Sequence, residues 1–302
     1  MISFNHEKFI AQALDSVLMQ EVDFDYEIVV GEDCSTDHTR EIVEEYQQKH
    51  PNKIQVLLSE KNLGMLRNFV KTYKACRGQY IALLEGDDYW TSRNKLQKQV
   101  NFLDTHLECT ECFHNVNVIY DSCPDKNHPF HRLKLKRYFT LKDVVSRHFI
   151  PTCSTMFRNG LFKDFPDWYY TMPMGDWPLH VLNAEHGYVG YINELLGTYR
   201  VHKGGLWSAT SRITILKNTI ESAMTIDRYL KHRFYKNINN LIAASHYEIA
   251  QIFLHEKKYD KASYHSAQAL RLSQLYNVII KTGAVKIILE KALRNFFPRN
   301  KG

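Results

Sequence analysis

The chain has 302 residues and a mass of 35.5 kDa, enough for one large domain with an appendage. Charged residues make up 24% of it and hydrophobic ones 44%, the composition of an ordinary globular protein, and the net charge of +6 suits an anionic partner such as a nucleotide or a lipid head group without demanding nucleic acid. The start shows no basic-then-apolar leader, and the most apolar late run, Val278 to Leu289, is interrupted by Lys281 and Lys286 before it reaches membrane-span length, so the sequence reads as cytoplasmic.

Ile2 and Ser3 read as the end of a strand whose earlier part precedes Met1. Phe9, Ala13, Leu14, Val17 and Leu18 recur at helical spacing, and Tyr26–Val30 is a short strand that runs into Gly31-Glu-Asp-Cys-Ser-Thr-Asp37. Ser35, Thr36 and Asp37 are N-cap candidates for a helix over residues 39–49, which Pro51-Asn52 ends. Ile54–Leu58 predicts a third strand, Asn62-Leu-Gly64 a turn, and Asn68–Cys76 a helix. Tyr80–Leu84 has no polar residue, as suits a strand buried on both faces of a parallel sheet. It leads straight into Glu85-Gly-Asp-Asp88, three carboxylates in four positions. At the carboxyl end of a buried strand such a group either serves a divalent cation, since Mg²⁺ or Mn²⁺ takes one or two carboxylates and completes its shell with phosphate oxygens and water, or is an acidic loop that merely ends the strand.

A helix over 91–105 and a strand over Glu111–Tyr120 follow. Then come a polar loop over 121–137, a helix over 140–149, a strand over Cys153–Arg158, a helix opened by Met174-Gly-Asp-Trp-Pro-Leu179, and two short strands, Tyr188–Ile192 and Gly197–Val201. Strands alternating with helices predict an α/β domain with a mostly parallel sheet over residues 1–207. From 208 onward strand signals stop, and four helical stretches predict an all-α extension. In it Ala250, Phe253, Tyr259, Ala262 and Ala269 match the spacing of one tetratricopeptide-like hairpin, read as a packed appendage because one unit has no neighbours to stack on. The last stretch, with Lys286, Lys291 and Arg294 beside Leu289, Leu293, Phe296 and Phe297, is basic and amphipathic, which suits packing or peripheral contact with the inner face of a membrane. The six cysteines read as reduced thiols. Cys109-x-x-Cys112 has histidines nearby, but no second ligand pair follows at zinc-ribbon or finger distance.

Taken together, the pieces resemble the family 2 glycosyltransferases, whose nucleotide-sugar-binding fold is called GT-A. Ser3-Phe-Asn-His6 looks like that family's first strand-to-helix turn, with Phe4 where an aromatic lies against the base. Val30–Asp37, containing Glu32 and Asp33, is similar to the nucleotide-contacting turn, Asp33 falling where a uracil-type base is bonded. Asn62–Asn68 continues the pattern. Glu85-Gly-Asp-Asp88 resembles the DxD-type motif, with Glu85 in place of the commoner Asp. Asp176 falls on the catalytic base, with Gly175 where a Glu is common, and Tyr199-Arg-Val-His202 resembles the late motif whose histidine helps hold metal or diphosphate.

The resemblance implies an inverting transfer of sugar from a nucleotide-diphosphate sugar, UDP most of all, to a glycan or lipid-linked acceptor in surface polysaccharide synthesis. It implies Phe4, Glu32, Asp33, Asn68, Glu85 and Asp87 on the nucleotide, Asp87, Asp88 and His202 on Mn²⁺ or Mg²⁺, with either aspartate as the direct ligand, and Asp176 as base. A non-catalytic sugar-nucleotide-binding scaffold is the alternative reading. A nucleotidyltransferase would want an early Gly-rich basic loop, which the sequence lacks.

Overall fold

The computed structural model describes residues 1–205, 209–272 and 283–288. Two short elements open it, strand β1 (Ile2–Ser3) and helix α1 (Ile10–Leu18), the helix burying Ile10, Ala13, Leu14 and Val17 along one stripe. Strand β2 (Ile28–Glu32), buried at every position, pairs in parallel with β1 on one side and with β3 (Ile54–Leu58) on the other. Parallel neighbours need crossovers, which α1 and α2 (Thr39–Lys49) supply. Helix α3 (Met65–Ala75) lies against β2 at Gly31, where a Cβ would stand 1.9 Å from Thr72 Oγ1 and 2.7 Å from Asn68 Oδ1, so only glycine permits that approach.

A second sheet, of seven strands, is mixed rather than parallel. It comprises β4 (Tyr80–Ala82), β5 (Tyr89–Trp90), β6 (Cys109–Tyr120), β7 (His128–Pro129), β8 (Tyr138–Phe139), β9 (Met156–Arg158) and β10 (Tyr188–Val201), with main order β4-β9-β6-β10-β5. Only β6 and β10 run parallel in it, and β9 is antiparallel to both its neighbours. The two stretches expected at 188–192 and 197–201 are one strand, β10, whose register against β6 slips between Ile192 and Gly197. Asn193, Glu194 and Leu195 face out there, which is why the apolar signal lapses. Helix α4 (Lys95–Thr105) packs on β6, and α5 (Leu141–Ser146) and α6 (Asp176–Ala184) follow. A bridge between Ile2 and Glu85 connects the two sheets at the point where the acidic turn begins.

The chain divides into two compact units, Met1–Val144 with Phe149–Ala209, and Val145–His148 with the chain from Thr210 onward. The second unit is helical: α7 (Arg212–Tyr229), N-capped by Ser211 Oγ, then α8 (Tyr235–His255), α9 (Tyr259–Leu272) and a further helical turn at 283–288. Leu216, Ile249, Ala250, Phe253, Ala262 and Ile287 form its core, so Ala250, Phe253 and Ala262 of the expected hairpin are packing positions. Most of the basic amphipathic tail, including Leu289, Lys291, Leu293, Arg294, Phe296 and Phe297, lies outside the described residues. Among the described residues no helix is long and apolar enough to cross a membrane.

Candidate active site

The acidic turn is fixed by backbone bonds before any carboxylate acts. Leu83 N–H donates to Thr155 O (3.0 Å), Gly86 N–H to Ile2 O (3.2 Å), and Asp88 N–H closes the turn onto Glu85 O (3.2 Å). Gly86 has no room for a side chain, since a Cβ would meet His6 Nδ1 at 2.6 Å and Ser3 Oγ at 2.9 Å. Asp88 points into the protein. Its Oδ1 accepts the Arg200 N–H (2.8 Å), its Oδ2 is buried with no N–H or O–H donor among the described residues, and the Cys153 thiol lies against the carboxyl. Arg200 locks the turn from β10, donating from Nε to Asp87 O (2.9 Å), from Nη1 to Asp121 (3.0 Å) and from Nη2 to Gln12 (2.7 Å). Asp87 is thereby turned the other way. Its Oδ2 lies 3.1 Å from His202 Nε2 and 3.9 Å from His6 Nε2, and the His202 ring packs on Phe9 at 4.5 Å.

The neighbouring carboxyls have opposite tendencies. Burial, reinforced by Asp87, Asp88 and Asp176, holds Glu85 well above the usual carboxylate range, and burial with the Asp87 charge does the same to Asp88. Burial also works against ionising Asp87, but the His202 hydrogen bond and the His6 and His202 charges outweigh it and hold Asp87 below its ordinary value. His6 is pushed down, by burial first. The turn therefore offers one favoured anion, Asp87, beside an imidazole.

Those two groups fit a divalent cation. Octahedral ligands at about 2.1 Å from Mg²⁺ or Mn²⁺ sit about 3 Å from one another, close to the 3.1 Å between Asp87 Oδ2 and His202 Nε2. Among the described residues no group of three or more His, Cys, Asp or Glu side chains is arranged to enclose a metal ion. Asp88, tied to the Arg200 backbone, stands as the inner support of Asp87.

Asp176 is the first residue of α6. Its Oδ1 accepts the Trp177 N–H (2.8 Å) and its Oδ2 the Thr152 hydroxyl (3.3 Å), and its charge acts on Glu85. The helix behind it is anchored. His180 Nδ1 lies 2.6 Å from Glu111 Oε1, Asn183 donates to Glu111 Oε2 (3.0 Å), and Trp177 Nε1 donates to Val144 O (2.8 Å). Gly175 is walled in, with a Cβ 2.9 Å from Leu66 Cδ2 and 3.2 Å from Tyr169 Oη, and Tyr169 donates to its carbonyl (2.9 Å). The space that a glutamate would need is filled.

The residues expected on the nucleotide split. Phe4 is 41% exposed, a large aromatic face at the end of β1. Glu32 and Asp33 are buried and accept backbone N–H groups, Glu32 from Cys34 and Ser35, Asp33 from Leu63 (2.7 Å) and Gly64 (2.9 Å). Asn68 is buried beneath the turn, its amide donating to Gly31 O (2.8 Å). Asn5 joins the turns that follow β1 and β2, its Oδ1 accepting from Thr36 N–H (2.8 Å) and its own N–H donating to Ser35 Oγ. Sequence reasoning missed His6, Arg200 and Thr152. The first two lie inside the motifs named above, and their roles come from partners far along the chain.

The family model described as glycosyl transferase family 2 matches residues 1–165. The uncharacterized protein Rv1520 of Mycobacterium tuberculosis is 40% identical over 207 residues, 68% of this chain and 59% of that protein, so the chain spans less than two-thirds of this relative. Among solved structures, residues 1–349 of Staphylococcus aureus TarS in complex with UDP-GlcNAc superpose with a TM-score of 0.64 at 16% identity, covering 100% of this chain and 91% of that one. The mannosyltransferase PcManGT from Pyrobaculum calidifontis, in complex with GDP-Man and Mn²⁺, gives a TM-score of 0.57 at 14% identity over 99% and 86% of the two chains. At such identities the structural likeness concerns the fold.

Proposed function

The chain belongs to glycosyl transferase family 2 and has the GT-A fold of a glycosyltransferase, and from that premise we propose that it moves a sugar, with inversion, from a UDP-sugar to a hydroxyl of a glycan or lipid-linked acceptor. The observation that carries the reading is the pairing of Asp87 with His202, in one acidic site with Asp176. Asp87 and His202 would hold Mn²⁺ or Mg²⁺ against the diphosphate, and a cation there neutralises the charge of the departing nucleotide. Phe4 offers a stacking face for the base. Asp33 keeps acceptor capacity, because each carboxylate oxygen has a second lone pair beyond the one its backbone partner uses. Glu85, whose carboxyl burial holds well above the usual carboxylate range, stands beside the same site on the nucleotide. Asp176, aimed by Thr152 and the helix amide, takes the acceptor hydroxyl proton as that oxygen attacks the anomeric carbon from the face opposite the diphosphate.

The base assignment draws support from TarS, solved with UDP-GlcNAc, and the polymer acceptor from the same protein's name, a poly(ribitol-phosphate) β-N-acetylglucosaminyltransferase. A screen of UDP-, GDP-, dTDP- and CDP-sugars with Mn²⁺ or Mg²⁺, reading nucleotide release, tests the proposal. One donor, UDP-linked, turns over with metal. Asp176→Asn lowers turnover about 10²- to 10⁴-fold while donor binding persists, whereas Asp87→Ala loses donor binding itself. Full turnover in Asp176→Asn, or no donor bound by the folded protein, overturns it.

A further inference from the structure

Beside Asp87 stands a second imidazole, His6, which the pairing of Asp87 with His202 does not use. The chain reaches it through Asn5, a non-glycine residue in the left-handed region at φ 55°. Bonds to the turn after β2 hold that backbone in place. The Asn5 N–H donates to Ser35 Oγ (3.0 Å), the His6 N–H to Thr39 Oγ1 (2.7 Å) and the Glu7 N–H to Asp37 Oδ2 (3.1 Å). The His6 carbonyl accepts the Phe9 and Ile10 N–H groups, each at 2.9 Å. The ring stands over Gly86 of the acidic turn, and its side chain is 17% exposed.

The two ring nitrogens have different surroundings. Nδ1 lies 3.3 Å from Ser3 Oγ, a buried hydroxyl that makes no other hydrogen bond among the described residues. A bare Nδ1 gives the Ser3 hydroxyl its acceptor, and the proton then sits on Nε2, so that an N–H rather than a lone pair faces the Asp87 carboxylate. Nε2 is 3.9 Å from Asp87 Oδ2, beyond hydrogen-bond reach, and makes no hydrogen bond among the described residues. Two ligands about 2.1 Å from one octahedral ion stand about 3 Å apart when adjacent and about 4.2 Å when opposite, so this spacing fits neither arrangement. Nε2 lies beside a cation held by Asp87 and His202, not in its shell. Phe4, the face for the base, is two residues before His6, and a diphosphate joining base to cation passes the ring.

We propose that His6 binds the diphosphate of the sugar donor, its Nε2–H donating to a non-bridging phosphate oxygen beside the cation. The inference rests on the family 2 reading of this site and adds a donor from the first turn of the chain. The same bond strengthens as the nucleotide departs and its charge grows.

The test measures binding of UDP and of uridine to the full chain with Mg²⁺, beside spectra of ¹⁵N-labelled histidine. His6→Leu raises the UDP dissociation constant about tenfold or more and leaves that of uridine, which has no phosphate, unchanged. His6→Gln, whose amide also carries an N–H, recovers part of the loss. The His6 imidazole signals, assigned through His6→Gln, keep the proton on Nε2 when Mg²⁺ and UDP bind, and that nitrogen shifts. Unchanged UDP affinity in His6→Leu, an equal loss for uridine, or a bare Nε2 in the complex would overturn the inference and leave the family 2 reading standing. A folded wild-type chain that binds no UDP would instead overturn the UDP-sugar reading beneath it.

Discussion

At the position before the candidate base, where a glutamate is common among family 2 enzymes, Gly175 stands against Leu66 and Tyr169. A methyl group there meets Leu66 Cδ2 at 2.9 Å and Tyr169 Oη at 3.2 Å, both belonging to side chains packed in the interior. Tyr169 cannot swing away without giving up its bond to the Gly175 carbonyl, which sets the start of α6. Burial, then the Asp176 charge, holds the Tyr169 hydroxyl protonated and able to make that bond. Gly175→Ala should therefore destabilise the protein by about 1–3 kcal/mol through overpacking and misplace Asp176. Denaturant melts of Gly175→Ala, Leu66→Ala and the double variant check it: the two losses combine to less than their sum, because the second change makes the room the first lacks. Strict additivity would show that the crowding at Gly175 costs nothing.

Strand β10 shows what an element adds. It brings His202 to Asp87 and pins the acidic turn through Arg200, whose backbone N–H and guanidinium take separate partners on Asp88, Asp87, Asp121 and Gln12. Lysine keeps the charge and loses the fork, so Arg200→Lys should lower kcat/KM for the donor about 10- to 100-fold with a stability loss of about 1–2 kcal/mol. Kinetics beside thermal melts decide it: activity that falls only in step with the folded fraction would make Arg200 a packing residue alone. Little of this coupling is legible in the sequence. Helix α2 and strand β3 are, to the residue, because the breaker at Pro51-Asn52 and the helical apolar spacing are local signals. The acidic turn and the Asp176 helix are legible as ordered motifs. The slip in β10 is not, since Asn193-Glu194 looks like a loop until β6 is beside it. Nor is the split between Asp88, which accepts the Arg200 N–H from 112 residues away, and Asp87, which pairs with His202.

Across the molecule, buried ionisable groups set how stability responds to pH. His114, driven down to about 3 by burial and then the Lys95 charge, makes the folded state poorer in protons between that value and 6.5, so stability rises with pH there. Lys95 acts in the next window. It is fully buried, its ammonium 3.7 Å above the Trp90 ring with no hydrogen-bond partner among the described residues, and burial lowers it from 10.5 to about 7 despite Cys112 and Cys153. Below pH 7 both states carry the charge and the folded state bears the whole desolvation cost. Above 7 the folded lysine sheds its proton while the unfolded one keeps it, so stability rises with pH up to about 10.5. Glu85 and Asp88, raised by burial, oppose this trend from the acid side, and Cys112, raised far above 9.0, opposes it above that value. A total stability curve would mix these, but the difference between wild type and Lys95→Met isolates the lysine. Methionine keeps an apolar arm over Trp90 and removes the charge. At pH 6 the variant should be the more stable by about 2–4 kcal/mol. Its advantage should shrink by about 1.4 kcal/mol per pH unit above 7, reaching roughly 2–3 kcal/mol less at pH 9. Guanidinium unfolding of both proteins at pH 6, 7, 8 and 9 measures this difference. A gap that stays constant with pH would mean Lys95 keeps its proton in the folded state, with the Trp90 face compensating for lost water.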